Sequence, residues 1–379
     1  MHKLLMVTTV PATLVSFLLP FANHFRAQGW QVDAMSCGFS PADPCHQAFD
    51  HVWDVQWSRN PLDPRNLLNT PGKIREIVLR EKYDIIHVHT PVAAFVTRYA
   101  LKDVRSQIGA SVIYTAHGFH FYPGGNPIKN AVFLTLEKLA GNWTDYLVTI
   151  NHEDEAAVKE HQLVPPASSR YMPGIGVNLD YYNPQMVSNS ALVEIRAELG
   201  ISEDTPLLLS VAEFTARKRH QDTIAAFAKL DRPEVHLAIA GDGPLMPQIK
   251  QLAIDLGVAT RVHFLGKRSD IPVLMKAAIA NILMSNQEGL PRSVMESLAL
   301  ELPTIGTKIR GTQGLLAGGY GLLIDVGDVT GLTEAITWML DRPEEAQAMA
   351  KRGREHLATY DINSIIKLHE ELYAEAIDS

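Results

Sequence analysis

Short apolar runs alternate with stretches of helical periodicity twice over, once in each half of the chain, and few folds accommodate that pattern. Runs without polar alternation are those of strands buried on both faces, and a helix between successive runs is what parallel pairing requires. The first half carries such runs at Leu4 to Thr8, Gln31 to Met35, Ile85 to His89, Ser111 to Thr115 and Tyr146 to Ile150. The second carries them at Leu207 to Val211, His236 to Ala240, Val262 to Leu265, Ala280 to Met284, Thr304 to Gly306 and Leu322 to Ile324. An α/β chain of two Rossmann-like, doubly wound domains follows, and a length of 379 residues fits two cores better than one. The glycine-rich turn Pro173-Gly174-Ile175-Gly176-Val177-Asn178 marks the expected hinge, giving domains of 1–177 and 178–360, with a last amphipathic helix from Asp361 to Ile377.

Composition excludes several classes. The net charge of -8 argues against a nucleic-acid partner, and two cysteines, Cys37 and Cys45, form neither a disulfide framework nor a metal spacing, which points to a reducing cytoplasm. Residues 1–180 carry a net charge of -1 and the remainder -7, so the first half is the one suited to approach an anionic membrane. The opening, with Lys3 ahead of an apolar region, has the outline of a secretory signal. Thr8, Thr9 and Pro11 interrupt it, and a strand from Lys3 to Val10 followed by a helix from Thr13 to Gln28 is the better reading.

Ligands of such sheets sit beyond the carboxyl ends of the strands. Three of those ends in the first half carry polar groups, Thr8-Thr9, His89-Thr90 and His117-Gly118. The turn Thr9-Val10-Pro11-Ala12-Thr13 has no glycine, so the G-x-G-x-x-G dinucleotide fingerprint is missing and a dehydrogenase is disfavoured. In the second half, Glu288-Gly289-Leu290-Pro291 breaks an apolar run, and Arg292 to Leu300 then has helical spacing. The free N–H groups at such a helix start attract an anion, while Glu288 lies in the loop before it and Glu296 on the helix itself. A carboxylate beside an anion site suits a ligand with both phosphate and hydroxyl groups, such as a nucleotide sugar.

The segment E-G-L-P-x-x-x-x-E, followed by P-T-I-G-T, resembles the E-x7-E signature of the family 4 glycosyltransferases, and Tyr114-Thr115-Ala116-His117-Gly118-Phe119-His120 is similar to the histidine-bearing strand end of their capsular and exopolysaccharide branch. The resemblance implies the GT-B fold, in which two Rossmann-like domains face each other across a cleft, and a C-terminal helix, here 361–379, that packs back on the first domain. It implies a retaining, metal-independent enzyme without cofactor, and by matching positions it assigns roles. Glu288 lies by the donor sugar, Glu296 binds the ribose, Gly289, Leu290 and Pro291 hold the diphosphate, and Lys218 contacts the donor phosphates. His117 contacts the sugar. Gly241 and Gly243 match a donor-side turn that equally suits an ordinary tight turn, and Lys267 and Arg268 match the nucleobase loop. Thr9, Thr13 and His89 fall on the acceptor side.

Arg217, Lys218 and Arg219 form a run of cations that would repel one another without an anion nearby, and a diphosphate is a candidate; whether Arg217 or Arg219 assists Lys218 is open. Glu213 stands where many members have arginine, Asn178 where they often have aspartate, and Leu300-Glu301-Leu302 where a small residue and a glycine often precede the proline. Phe119, Phe121, Tyr122, Phe133 and Trp143, with Lys129 and Lys138, suit either a peripheral membrane patch or a buried helix pair. The implied partners are a nucleotide sugar, UDP-linked, and a lipid-linked saccharide at the inner face of the cytoplasmic membrane. Two rival readings remain: a non-catalytic nucleotide-sugar scaffold, and a GT-B-fold epimerase that needs no acceptor.

Overall fold

The computed structural model describes residues 1–58, 60 and 63–378. The chain divides into two compact units, one of Met1–Gly176 and the terminal helix, the other of Val177–Asp361. Ser379, expected at the end of that helix, lies outside the described residues.

Unit 1 is built on seven parallel strands, β1 (Lys3–Val7), β2 (Gln31–Ser36), β3 (Val52–Asp54), β4 (Ile85–His89), β5 (Ser111–Ala116), β6 (Tyr146–Thr149) and β7 (Ser169–Tyr171), in the order β3-β2-β1-β4-β5-β6-β7. Both faces are covered. Leu4 and Met6 of β1 pack with Phe21, Phe25 and residues of the terminal helix Ile362–Asp378, among them Ile365 and Tyr373. Leu5 and Val7 point the other way, into a cluster with Ile74, Val88 and Val96. Strand order reverses between β1 and β4, so the loops that follow them diverge and open a crevice at their carboxyl ends.

Unit 2 repeats the plan with β8 (Leu207–Val211), β9 (His236–Ala240), β10 (Val262–Gly266), β11 (Ala280–Leu283), β12 (Thr304–Thr307) and β13 (Leu322–Ile324), in the order β10-β9-β8-β11-β12-β13. Its reversal falls between β8 and β11, so the segment after β8, with Arg217 and Lys218, and the segment after β11, with Glu288, open on the same crevice.

The structure departs from the sequence expectations in a few places. β3 and β7 were not foreseen. Each has three residues, none buried, at an edge of the sheet, so neither shows the apolar run by which the inner strands were read. The first helical stretch starts at Pro11 rather than Thr13 and opens into π geometry over Leu14–Leu18. Pro20, just beyond, has no N–H to donate back into the turn before it. Pro291 caps the helix Arg292–Ala299 from outside its first turn. Glu301 adopts φ 54°, left-handed backbone that favours glycine, which accounts for the family's glycine at this place.

Candidate active site

In unit 2 the crevice is charged and internally compensated. Lys218 donates to Glu288 Oε1 at 2.6 Å, and Arg217 Nη1 lies 3.0 Å from the same oxygen while donating to the Gln287 carbonyl at 2.9 Å. The backbone ties the segments as well, since the Asn286 N–H donates to the Arg217 carbonyl at 2.9 Å. Lys218 and Glu288 are 12% and 8% exposed, so this is a nearly dry ion pair; Arg217, at 40%, remains open to a ligand. Burial pushes the Lys218 pKa down more than the attraction of Glu288 raises it. Arg219 turns away to Asp222, at 2.5 and 3.0 Å. Glu288 and Asp222 are thus the anions near these three cations in the structure. Of the two arginines, Arg217 shares the site with Lys218.

Glu296 lies on the buried face of the helix Arg292–Ala299 and is 5% exposed. Its Oε1 accepts from Tyr182 Oη at 2.5 Å and from Arg292 Nε at 2.7 Å. Burial raises its pKa, and Arg292 and Tyr182 oppose the rise. Tyr182 was missed at the sequence level, because it sits 114 positions away in an irregular segment without any motif. Gly311 was missed too. At φ 77°, it leaves room for the signature turn, for a Cβ there would lie 2.2 Å from the Gly289 carbonyl oxygen. The pair Arg310-Gly311, separated from the P-T-I-G-T strand only by Lys308 and Ile309, was the available signal.

Gly241 and Gly243 are required by the chain's own backbone. A Cβ on Gly241 would lie 2.0 Å from the Ala212 carbonyl oxygen, and one on Gly243 2.6 Å from that of Phe214. They let this turn pack against the backbone that leads into Arg217 and Lys218. Arg268 is held by Glu198 at 2.6 and 3.0 Å and by Asp270 at 2.8 and 2.6 Å, which occupies its fork of donors, whereas Lys267 is exposed. Gly289 and Leu290 are half-buried and Pro291 is buried.

Unit 1 gathers neutral groups at its own crevice. Thr9 N–H donates to Thr90 Oγ1 at 2.9 Å, the two hydroxyls are 2.7 Å apart, and Trp57 Nε1 donates to the Thr9 carbonyl at 2.9 Å. Thr90 has φ 65°, a strained conformation for a β-branched residue, of the kind that gathers at functional sites. His89 Nδ1 and His117 Nε2 are 3.0 Å apart, and the half-buried His117 stacks on Phe17 with ring centres at 6.3 Å. Burial lowers the His117 pKa to about 4 and that of His89 well below its ordinary value. Gly118 turns the chain away at φ 116°. Thr13 ends the short turn Pro11–Thr13 and is half-buried. A groove of about 1410 Å³ in this unit lies elsewhere, lined by Ser111, Tyr146 and Ser169 at the amino ends of β5, β6 and β7.

Of the aromatics that suit either a membrane patch or a buried helix pair, two belong to the core: Phe119 and Phe121 are 2% and 6% exposed and join the cluster behind β4 and β5. The exposed apolar residues nearby are instead Ile128, Val132 and Leu139 of the helix Pro127–Gly141. None of the described helices is long and apolar enough to cross a membrane.

Residues 193–356 match the family described as glycosyl transferases group 1, and 15–180 match Glycosyltransferase Family 4. The chain is 32% identical over 99% of its length to the proposed glycosyltransferase EpsD of Bacillus subtilis (strain 168), of which it covers 97%. It is 27% identical to the N-acetyl-alpha-D-glucosaminyl L-malate synthase of Bacillus anthracis, over 81% of this chain and 78% of the synthase. A UDP-Gal:alpha-D-GlcNAc-diphosphoundecaprenol alpha-1,3-galactosyltransferase of Escherichia coli is 26% identical over 80% of this chain and 78% of its own. Among solved structures, HepE of Anabaena in complex with UDP and glucose superposes with a TM-score of 0.83 at 18% identity, covering 99% of this chain and all (100%) of HepE.

Proposed function

Since the chain belongs to the family 4 glycosyltransferases and has their GT-B fold, we propose that it is a retaining, metal-independent transferase that moves a sugar from a UDP-sugar to a lipid-linked saccharide in the synthesis of a capsule, exopolysaccharide or other surface glycan. The observation that carries this reading is the grouping of Lys218, Arg217 and Glu288 at the strand-order reversal of unit 2, beside the amino end of the helix Arg292–Ala299. In it, the donor diphosphate takes over Lys218 and Arg217, and Glu288 is released toward the sugar. The two cations and the helix N–H groups then stabilise charge on the leaving diphosphate, the work a metal does elsewhere. Without a second catalytic carboxylate in the assignment, the acceptor hydroxyl passes its proton to the leaving phosphate oxygen as the new glycosidic bond forms on the face the diphosphate leaves. Glu296, held by Tyr182 and Arg292, takes the ribose hydroxyls, and Lys267 stands by the base.

The lipid-linked acceptor is supported by the Escherichia coli relative, whose name specifies a diphosphoundecaprenol-linked sugar. It is also supported by the helix Pro127–Gly141, whose exposed Ile128, Val132 and Leu139 recur at helical spacing beside exposed Lys129 and Lys138. Apolar residues flanked by lysines suit the interface of an anionic bilayer. Sedimentation with anionic vesicles at low salt is expected to carry the protein down, and the double variant Ile128→Ser/Val132→Ser to leave it in the supernatant; equal sedimentation of both would remove the helix from this role.

The function is tested by incubating the purified protein with a panel of UDP-sugars, with and without a diphosphoundecaprenol-linked saccharide, in the presence and absence of EDTA. Transfer that needs the acceptor and survives EDTA is the expected result. UDP-sugar binding without turnover would indicate a scaffold, and conversion of the sugar without acceptor an epimerase.

A further inference from the structure

Four imidazoles lie together beneath the crevice of unit 1, and their partners determine where the protons are. His369, on the terminal helix, has Nδ1 2.8 Å from the Ile365 carbonyl, so Nδ1 carries its hydrogen. His87 is bonded at both nitrogens, to Tyr373 Oη at 2.6 Å and Thr115 Oγ1 at 2.7 Å, and its ring stacks on His89 at 4.2 Å. Among the described residues His89, 2% exposed, is bonded only at Nδ1, to His117 Nε2 at 3.0 Å; its Nε2 is buried and has no partner there.

The unpartnered Nε2 decides the tautomer. A buried N–H with nothing to receive it is costlier and rarer in folded proteins than a buried lone pair. His89 therefore keeps Nε2 bare and carries its hydrogen on Nδ1, which donates to His117 Nε2. With that nitrogen accepting, neutral His117 carries its own hydrogen on Nδ1, the ring nitrogen that has no protein partner among the described residues.

We infer that His89 is a positioning residue that fixes His117 as the Nδ1–H tautomer, so that His117 meets its ligand as a neutral hydrogen-bond donor and not as a base. The ligand group is an acceptor oxygen, and a sugar hydroxyl is the one the proposed function supplies; in this respect the inference rests on that function. The burial that holds both imidazoles neutral agrees with it.

Long-range 15N–1H correlation on histidine-labelled protein at neutral pH reads the tautomer directly, without substrate, with the His117 signals assigned from His117→Gln. His117 is expected protonated at Nδ1 and bare at Nε2. A hydrogen on Nε2, or on both nitrogens, overturns the inference even if the protein is a proven glycosyltransferase. Conversely, absence of transfer with every UDP-sugar sinks the proposed function while this spectrum still decides the tautomer. His89→Leu removes the donor and is expected to release His117 into a mixture of tautomers and lower turnover roughly fivefold to tenfold, with little change in KM for the donor. His89→Asn, whose amide nitrogen replaces Nδ1, is expected to restore both the spectrum and most of the turnover. If Asn fares as badly as Leu, or if Leu leaves spectrum and turnover unchanged, His89 serves packing alone and the positioning role falls. Should neither variant fold, the spectrum of the unaltered protein still upholds or overturns the tautomer assignment.

Discussion

The two crevices have the same architectural origin, a reversal of strand order in a parallel sheet, yet they are furnished in opposite ways. Unit 2 places two cations on a carboxylate and a second carboxylate between an arginine and a tyrosine. Unit 1 offers two threonine hydroxyls and buried neutral imidazoles. The contrast follows the chemistry of the proposed ligands. A diphosphate brings charge into the site, so its cations must wait without leaving a lone charge in a dry place, which Glu288 prevents. Sugar hydroxyls, of the donor at His117 and of the acceptor, bring none, and neutral donors and acceptors suffice for them.

Acid should separate the units most. His87, His89, His117 and His369 are all depressed by burial, His117 and His369 to about 4. A depressed histidine leaves the unfolded chain with more bound protons once the pH is below 6.5, so the stability it confers is complete above that value and is lost as the pH falls through about 4. Each such group steepens the fall by up to about 1.4 kcal/mol per pH unit. Unit 2 has one histidine depressed to about 4, His220, with milder shifts at His236 and His263. The raised pKa of Glu296 acts in the opposite sense, adding stability as the pH drops through it. Hydrogen exchange between pH 6.5 and 4 is expected to show unit 1 losing protection first; parallel loss in both units would break the comparison.

Within unit 2 the two glutamates should part company. Glu288→Gln removes a charge that strengthens its interaction as positive charge develops on the sugar, and should chiefly lower turnover, by about tenfold to a hundredfold. Glu296→Gln removes bonds present before and during reaction and should mainly weaken donor affinity, by about tenfold. Kinetics at saturating donor, paired with UDP titration, test both, and an exchange of the two phenotypes would reverse the roles. Tyr182→Phe deletes one bond to Glu296 while Arg292 keeps the other, so a smaller loss of UDP affinity, about threefold to tenfold, is expected from the same titration. A loss as large as that of Glu296→Gln would make Tyr182 a direct ligand contact.

Much of this was legible in the chain itself. The inner strands could be read because burial on both faces leaves continuous apolar runs, and three of them, at Ile85, Leu207 and His236, begin and end where the sequence reading put them; so does the edge strand at Leu322, whose three residues are all apolar. Edge strands β3 and β7 carry no such run and were lost. In the site, Glu288, Glu296 and Lys218 were found through a motif, and His89 and His117 as polar ends of strands. Their partners were not. Tyr182 reaches Glu296 from an irregular segment, and His369 and Tyr373 reach the histidine cluster from the far end of the chain, where helical periodicity marks them only as residues of a buried face. Gly241 and Gly243 were legible as special, but what crowds them is the chain's own backbone.

In the proposed function Lys218 and its neighbours receive the diphosphate of a UDP-sugar. Calorimetric titration of UDP into the unaltered protein and into Lys218→Met tests it most directly. Binding is expected to be saturable and to weaken at least about tenfold in the variant, as loss of a charged hydrogen bond implies. Equal UDP affinity in both proteins, or none in the unaltered one, would contradict it.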